Sequence, residues 1–227
     1  MVSVLAFDSA GHGCSAAVLH RGRVASRRSA AMERGQAEAL MPMIEAVLAE
    51  SDLVSGDLDL IAVTVGPGSF TGLRIALATA QGLALATGRP LLGITNFAAM
   101  AAQVRAPARS GRRLVVALDS KRKELYLQSF DLEGVADGEG ALVAPEAFAT
   151  WVPEGPLIVA GDGAPRLAAT LGEPRAWLTP GSGMVDAADV ARLAAATWRP
   201  GVRPPRPRPL YLRAPDTTTP HPGLARP

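Results

Sequence analysis

The sequence predicts an α/β protein of two lobes, each a mixed sheet with helices, and three observations predict it. Short β-rich runs alternate with helical periodicity in the order βββαβαβα over the first half. A stretch rich in Arg, Pro, Ser and Gly at 105–113 then interrupts the pattern. Beyond it the chain opens again with two apolar strands around a turn, so the plan of the first half starts over. At 227 residues there is length for one large domain or two small lobes. The expected division is 1–106 for the first lobe, 107–213 for the second, and 214–227 for a mobile tail with too little apolar content to pack.

In order, residues 2–7 form a β-rich run whose partners in a meander are 15–19 and 23–28, with turns at Ala10-Gly11-His12-Gly13 and Arg21-Gly22. Over 36–50 the apolar positions Leu40, Ile44, Val47 and Leu48 recur at helical spacing, with Pro42 in the first turn or at a kink. Residues 58–65 are a buried strand. An Ala-rich helix over 75–87 follows, stopped by Gly88 and Pro90. Strand 90–94 leads to a helix over 96–104. After the link, 113–118 and 125–130 pair around Asp119-Ser120-Lys121-Arg122-Lys123. Residues 145–151 make a short helix with Pro145 first, and 157–160 a strand ending in Gly161-Asp162-Gly163. The last helix covers 185–198, carrying Val190, Leu193 and Ala194, and from Arg199 the chain is rich in Pro and Arg.

Composition narrows the function. With 48% hydrophobic and 19% charged residues the chain is globular, and a net charge of +2 is too small to argue for a nucleic-acid partner. A single cysteine, Cys14, excludes an internal disulfide framework and suits a reducing compartment. The run 2–7 has no basic leader or cleavage site, so the expected location is cytoplasmic. The charge-free stretch 75–87, bracketed by Arg74 and Arg89, falls short of the ~20 apolar residues of a bilayer span. A helix apolar nearly all round must instead be covered on more than one side.

The run Gly66-Pro67-Gly68-Ser69-Phe70-Thr71-Gly72-Leu73-Arg74 reads as strand, tight turn and helix start, with Ser69 or Thr71 as cap. Unpaired N–H groups there would face an anion or a partner. It matches neither the phosphate cradle ending in Gly-Lys-Ser/Thr nor the dinucleotide fingerprint, which favours a structural turn. Asp8-Ser9 and Asp119-Ser120 end the first strands of the two lobes, where two-lobed nucleotide-binding folds hold metal and phosphate. They are also ordinary turn formers. The candidate nucleotide site is therefore Asp8, Ser9, Gly68 and Ser69. His12, His20 and His221 lack metal-ligand spacing, so no metal is expected. Cys14 and Ser15 near His12 are neighbours in sequence only, a weak basis for a nucleophile and base. Glu33, Glu38 and Glu45 read as a solvated helix face. Arg199, Arg203, Arg206, Arg208 and Arg213 can reach RNA phosphate or form a basic surface.

At this nine-residue run the chain resembles the bacterial TsaB (YeaZ) family. Further matches are Val4-Leu5-Ala6-Phe7-Asp8-Ser9, Leu40-Met41-Pro42-Met43-Ile44, Pro90-Leu91-Leu92-Gly93-Ile94, Asp119 with Glu124-Leu125-Tyr126, Gly161-Asp162-Gly163-Ala164 and Pro209-Leu210-Tyr211-Leu212-Arg213, so the resemblance covers about residues 2–213. It implies an actin-like fold of the sugar-kinase and Hsp70 type. It also implies work in making threonylcarbamoyladenosine beside the anticodon of tRNAs that read codons starting with A. In the family, TsaB is a non-catalytic partner of the transferase TsaD, the ATPase TsaE docks on the pair, and TsaB pairs with itself when TsaD is absent. The metal-binding His-x-x-x-His pair of TsaD falls here on Asn96 and Met100, which are poor replacements for imidazole.

The resemblance implies an interface on the first two helices, assigned to Leu40, Met41, Ile44, Leu73, Arg74, Leu77, Ala80, Gln81 and Ala84. No catalytic residue and no firmly held cofactor are expected, with ATP or ADP at the partner interface the exception. Contact with tRNA is expected to be indirect or weak, and no membrane contact is expected. The alternatives are a small-molecule kinase or ATPase of the same fold, using Asp8 and Asp119, and a metal-independent peptidase, for which no oriented nucleophile is visible.

Overall fold

The computed structural model describes residues 2–104, 111–172, 174–179, 181 and 183–213. Most of the expected link at 105–113 and the whole expected tail at 214–227 lie outside them. The first sheet contains β1 (Val4–Asp8), β2 (Gly13–His20), β3 (Arg23–Ala31), β4 (Leu60–Thr64) and β5 (Leu91–Ile94), in the order β3-β2-β1-β4-β5. β1, β2 and β3 are antiparallel neighbours, whereas β4 and β5 run parallel to β1. The second sheet contains β6 (Arg113–Asp119), β7 (Leu125–Phe130), β8 (Ala141–Val143), β9 (Leu157–Ala160) and β10 (Ala176–Leu178). Its order, β10-β9-β6-β7-β8, and its pattern of parallel and antiparallel pairs repeat those of the first. The expected duplication is therefore present in topology, although the two halves share little sequence.

Strand residues obey the period of two, and the inner strands β1, β2, β4, β6 and β9 are buried on both faces, whereas edge strand β3 is largely exposed. Leu5, Phe7, Ile61 and Val63 face α1 (Gln36–Glu50) and α2 (Phe70–Thr87). Val4, Ala6, Leu60 and Ala62 face α3 (Asn96–Gln103) and α6 (Ala187–Thr197). In the second sheet Val115, Ala117, Leu157 and Val159 pack under α4 (Phe148–Trp151) and α5 (Ala164–Leu171). The opposite residues Leu114, Val116, Leu118 and Ile158 join the cluster containing α3, so one apolar core welds the lobes together.

Among the strands and α-helices of the described residues three went unforeseen, β8, β10 and α5, and so did the 3-10 turn Ser55–Asp57. Strands of three residues carry no readable period, and α5 opens with Ala164-Pro165 directly after the glycine turn Gly161-Asp162-Gly163, which masks its start. A further departure concerns 187–213, expected with the second lobe. Helix α6 packs instead on β1, β2 and α3, and the segment after it returns to β4 and α2. The physical reason is the uncovered face of the first sheet, which α3 alone is too short to bury. Pro42 lies inside α1, beyond its first turn, with its ring on the exposed side.

Candidate functional site

The glycine run is shaped by close backbone approach. α2 starts after Ser69, whose Oγ accepts from the Gly72 N–H at 3.3 Å, so Ser69 is the cap. A Cβ on Gly72 would stand 2.0 Å from the Ser9 carbonyl oxygen, and one on Gly68 would stand 2.6 Å from that of Ala10. Two hydrogen bonds hold this contact: Ser69 N–H donates to Ala10 O at 2.7 Å, and the Ser9 hydroxyl donates to Gly72 O at 2.9 Å. Gly66, at φ 103°, is clamped by Asn96, whose N–H donates to Gly66 O while its Oδ1 accepts from Gly66 N–H, both at 2.8 Å.

Asp8 is the hub beneath this turn. It is 3% exposed, and its Oδ1 accepts from the Thr64 hydroxyl, from Asn96 Nδ2 at 2.9 Å and from Ala10 N–H at 3.3 Å. Burial pushes its pKa up, and these hydrogen bonds oppose the shift without cancelling it. Asp8, Ser9, Gly68 and Ser69 are thus brought together as the sequence suggests, each already engaged in an internal contact.

Across the cleft stand Asp119, Lys121 and Asp162. Asp162 Oδ1 accepts from Asp119 N–H at 2.8 Å, and its Oδ2 lies 3.1 Å from Nε2 of His12, a first-lobe residue. Lys121 Nζ is 2.6 Å from the same His12 nitrogen and 3.6 Å from Asp119 Oδ2. A neutral His12 ring accepts from the ammonium, and a protonated one donates to Asp162. Burial raises the Asp162 pKa, with His12 and Lys121 pulling it down. The cavity left between the lobes, lined by Gly68, Asn96, Met100, Asp119 and Asp162 among others, has about 20 Å³. That is room for one water, and a nucleotide would need the lobes to separate. Asn96 and Met100 both face it, buried at 3% and 4%. Among the described residues no three His, Cys, Asp or Glu side chains cluster closely enough to hold a metal ion.

The outward side of α1 and α2 differs from the expected interface. Leu40, Ile44, Leu73, Leu77 and Ala80 are at most 5% exposed and pack into the core. Helical spacing finds an apolar stripe but cannot say which stripe faces the sheet when two are present. Met41 and Arg74 are exposed and Gln81 and Ala84 half-buried, as a surface role requires. The exposed line of α2 is Arg74, Ala78, Gly82 and Ala86, four residues apart, with Leu85 beside it at 87% exposure. That spacing of small residues was the available signal for Ala78 and Gly82. On the neighbouring α1, Pro42, Glu45 and Ala49 are likewise exposed. At its end Arg74 lies over the Phe70 ring at 3.8 Å, and Phe70 meets Tyr211 at 5.4 Å between centroids.

The segment 199–213 forms a strap over edge strand β5. A Cβ on Gly93 would meet the buried Pro207 at 3.1 Å, and Leu210 N–H donates to Val65 O at 2.7 Å. Prolines lack the N–H needed to extend a sheet, so the strap covers the edge without inviting further strands. No described helix is long and apolar enough to cross a membrane.

Comparison with known proteins adds the following. The family model described as tRNA N6-adenosine threonylcarbamoyltransferase matches residues 30–164. The chain is 34% identical over 139 residues to the tRNA threonylcarbamoyladenosine biosynthesis protein TsaB of Haemophilus influenzae, covering 61% of this chain and 58% of that protein. The match thus spans about three-fifths of the length of the curated TsaB relatives, at 58% and 63%. The structure of YeaZ from Pseudomonas aeruginosa superposes with a TM-score of 0.80 at 31% identity, over 93% of this chain and all of that one. A ROK hexokinase from Thermus thermophilus, at TM-score 0.50 and 16% identity over 85% of this chain and 99% of that one, shares the fold alone.

Proposed function

Because the chain belongs to the TsaB (YeaZ) family, we propose that it serves threonylcarbamoyladenosine formation in tRNA as a partner subunit of the transferase TsaD, without chemistry of its own. The observation that carries this reading is the exposed face of α2. Ala78, Gly82 and Ala86 let another helix approach closely, and Leu85 is 87% exposed. The closed cleft supports it, since the carboxylates a kinase would need at Asp8 and Asp119 are held by Thr64, Asn96 and Arg166. On this reading the protein works in the cytoplasm, TsaE joins the assembled pair, and the same face pairs two copies when TsaD is absent.

Coexpression with TsaD tests the role. The two proteins are expected to elute together, and a glutamate at Gly82 or Ala78 should abolish the pairing, because it buries an unpaired carboxylate. Gly82→Glu should not unfold the protein: its Cβ meets open space, and any residue but proline favours a helix interior over glycine. Ala80→Glu is the wrong probe, since Ala80 is fully buried and the variant would lose its fold. Capture surviving both exposed substitutions would place the interface elsewhere. ATP turnover by the isolated protein, lost in Asp8→Asn, would favour the kinase reading.

A further inference from the structure

Between α2 and the strap lies a groove of about 710 Å³, lined by Gln81, Gly82, Leu85, Arg89, Arg203 and Arg206 among others, with no acidic residue; its α2 wall, Gly82 and Leu85, is shared with the proposed partner face, and its strap wall carries Arg203 and Arg206. Among the described residues, arginines without an ion pair also stand elsewhere, at Arg21, Arg23, Arg34, Arg74 and Arg175, but here they gather around one acid-free groove. Arg27, Arg28, Arg113, Arg166, Arg192 and Arg213 each pair with a carboxylate. Along the strap Arg199, Arg203, Arg206 and Arg208 are exposed, and none of them makes an ion pair among the described residues. Arg206 donates only to the neutral Gln81 Oε1, at 2.8 Å, and Arg89 to the Gly56 carbonyl while its buried Nε has no partner. A chain of net charge +2 therefore concentrates uncompensated positive charge on one strip.

We infer that this strip binds the sugar-phosphate backbone of RNA. Its cations are all guanidinium groups, whose planar fork matches phosphate oxygens in pairs. Pro204, Pro205, Pro207 and Pro209 fix φ around Arg203, Arg206 and Arg208, so little ordering opposes binding. The five residue-to-residue steps of proline-rich chain from Arg203 to Arg208 reach on the order of 15 Å at ~3.1 Å per step, enough for several phosphates of one strand rather than a single ester. The same strap ends at the Phe70–Tyr211 pair, both rings about two-fifths exposed, a surface on which an unpaired base stacks. The choice of tRNA as the RNA rests on the proposed role; the charge argument does not.

The test titrates a tRNA transcript that reads a codon starting with A, by fluorescence anisotropy over a range of salt, against the protein alone and with TsaD. Arg203→Ala/Arg206→Ala is expected to weaken binding about tenfold or more at low salt and to lower the log–log salt slope by about 1.4–1.8, two phosphates at ~0.7–0.9 each. Arg21→Ala/Arg23→Ala, at the β2–β3 turn by the opposite edge of the sheet, removes equal charge and should change neither. Equal losses in both variants, an unchanged strap variant, or no binding by the unaltered protein in either form would overturn the inference. So would a strap variant that loses TsaD while keeping RNA, which would assign the groove to an acidic protein segment. If TsaD is never captured but the strap variant still loses RNA, the partner reading fails and this one stands.

Discussion

Gly72→Ala is expected to destabilise the protein by about 4 kcal/mol or more, at the far end of single-substitution effects. The added methyl would sit 2.0 Å from the Ser9 carbonyl oxygen, and the obstructing atom is backbone that cannot rotate away. Relief requires α2 to withdraw from the turn after β1, which breaks the Ser9 hydroxyl bond to Gly72 O and the Ser69 N–H bond to Ala10 O, at about 1 kcal/mol each. Against this, alanine gains at most about 1 kcal/mol of helix propensity. Gly82→Ala, on the open side of the same helix, should show that gain alone. Urea unfolding of the two variants gives the comparison; a Gly72→Ala midpoint close to the parent would mean that the contact is slack.

Asp8→Ala is expected to cost about 3–5 kcal/mol, because it takes the shared acceptor away from the Thr64 hydroxyl, the Asn96 amide and the Ala10 N–H in a buried site. Asp8→Asn can keep an acceptor at Oδ1 and isolates the charge. Burial raises the Asp8 pKa, so the native state takes up its proton more readily than the unfolded chain does. Its contribution favours folding below the unfolded carboxylate value and is lost as pH rises through the raised native value. Relative to the parent, Asp8→Asn should therefore be most favourable near neutrality and lose ground as pH falls toward ~4. Denaturation at several pH values measures the difference. A difference independent of pH would show that Asp8 has the same proton affinity folded and unfolded.

The two lobes, nearly all long elements and a cap at Ser69 or Thr71 were legible because they rest on local signals: alternation, helical spacing, and Gly and Pro punctuation; that the cap is Ser69 came from the structure. Asp8, Ser9, Gly68 and Ser69 were legible as a group for the same reason, as turn residues next to strands. Their engagement was not, since the Cβ exclusion at Gly72 and the Asn96 clamp join residues far apart in sequence. The assignment of Leu40, Ile44, Leu73, Leu77 and Ala80 to an interface failed because a helix with two apolar stripes does not reveal which one meets the sheet.

The strap shows the division most sharply. Sequence alone determined that five arginines and several prolines crowd 199–213 without an acid among them. Only the tertiary structure decided that Arg213 finds Glu124 while Arg203 and Arg206 line an acid-free groove. Local elements follow from neighbouring side chains, which the sequence lists in order. Burial and charge compensation depend on which distant residues the fold sets side by side, and that is decided when the two sheets close on their shared core.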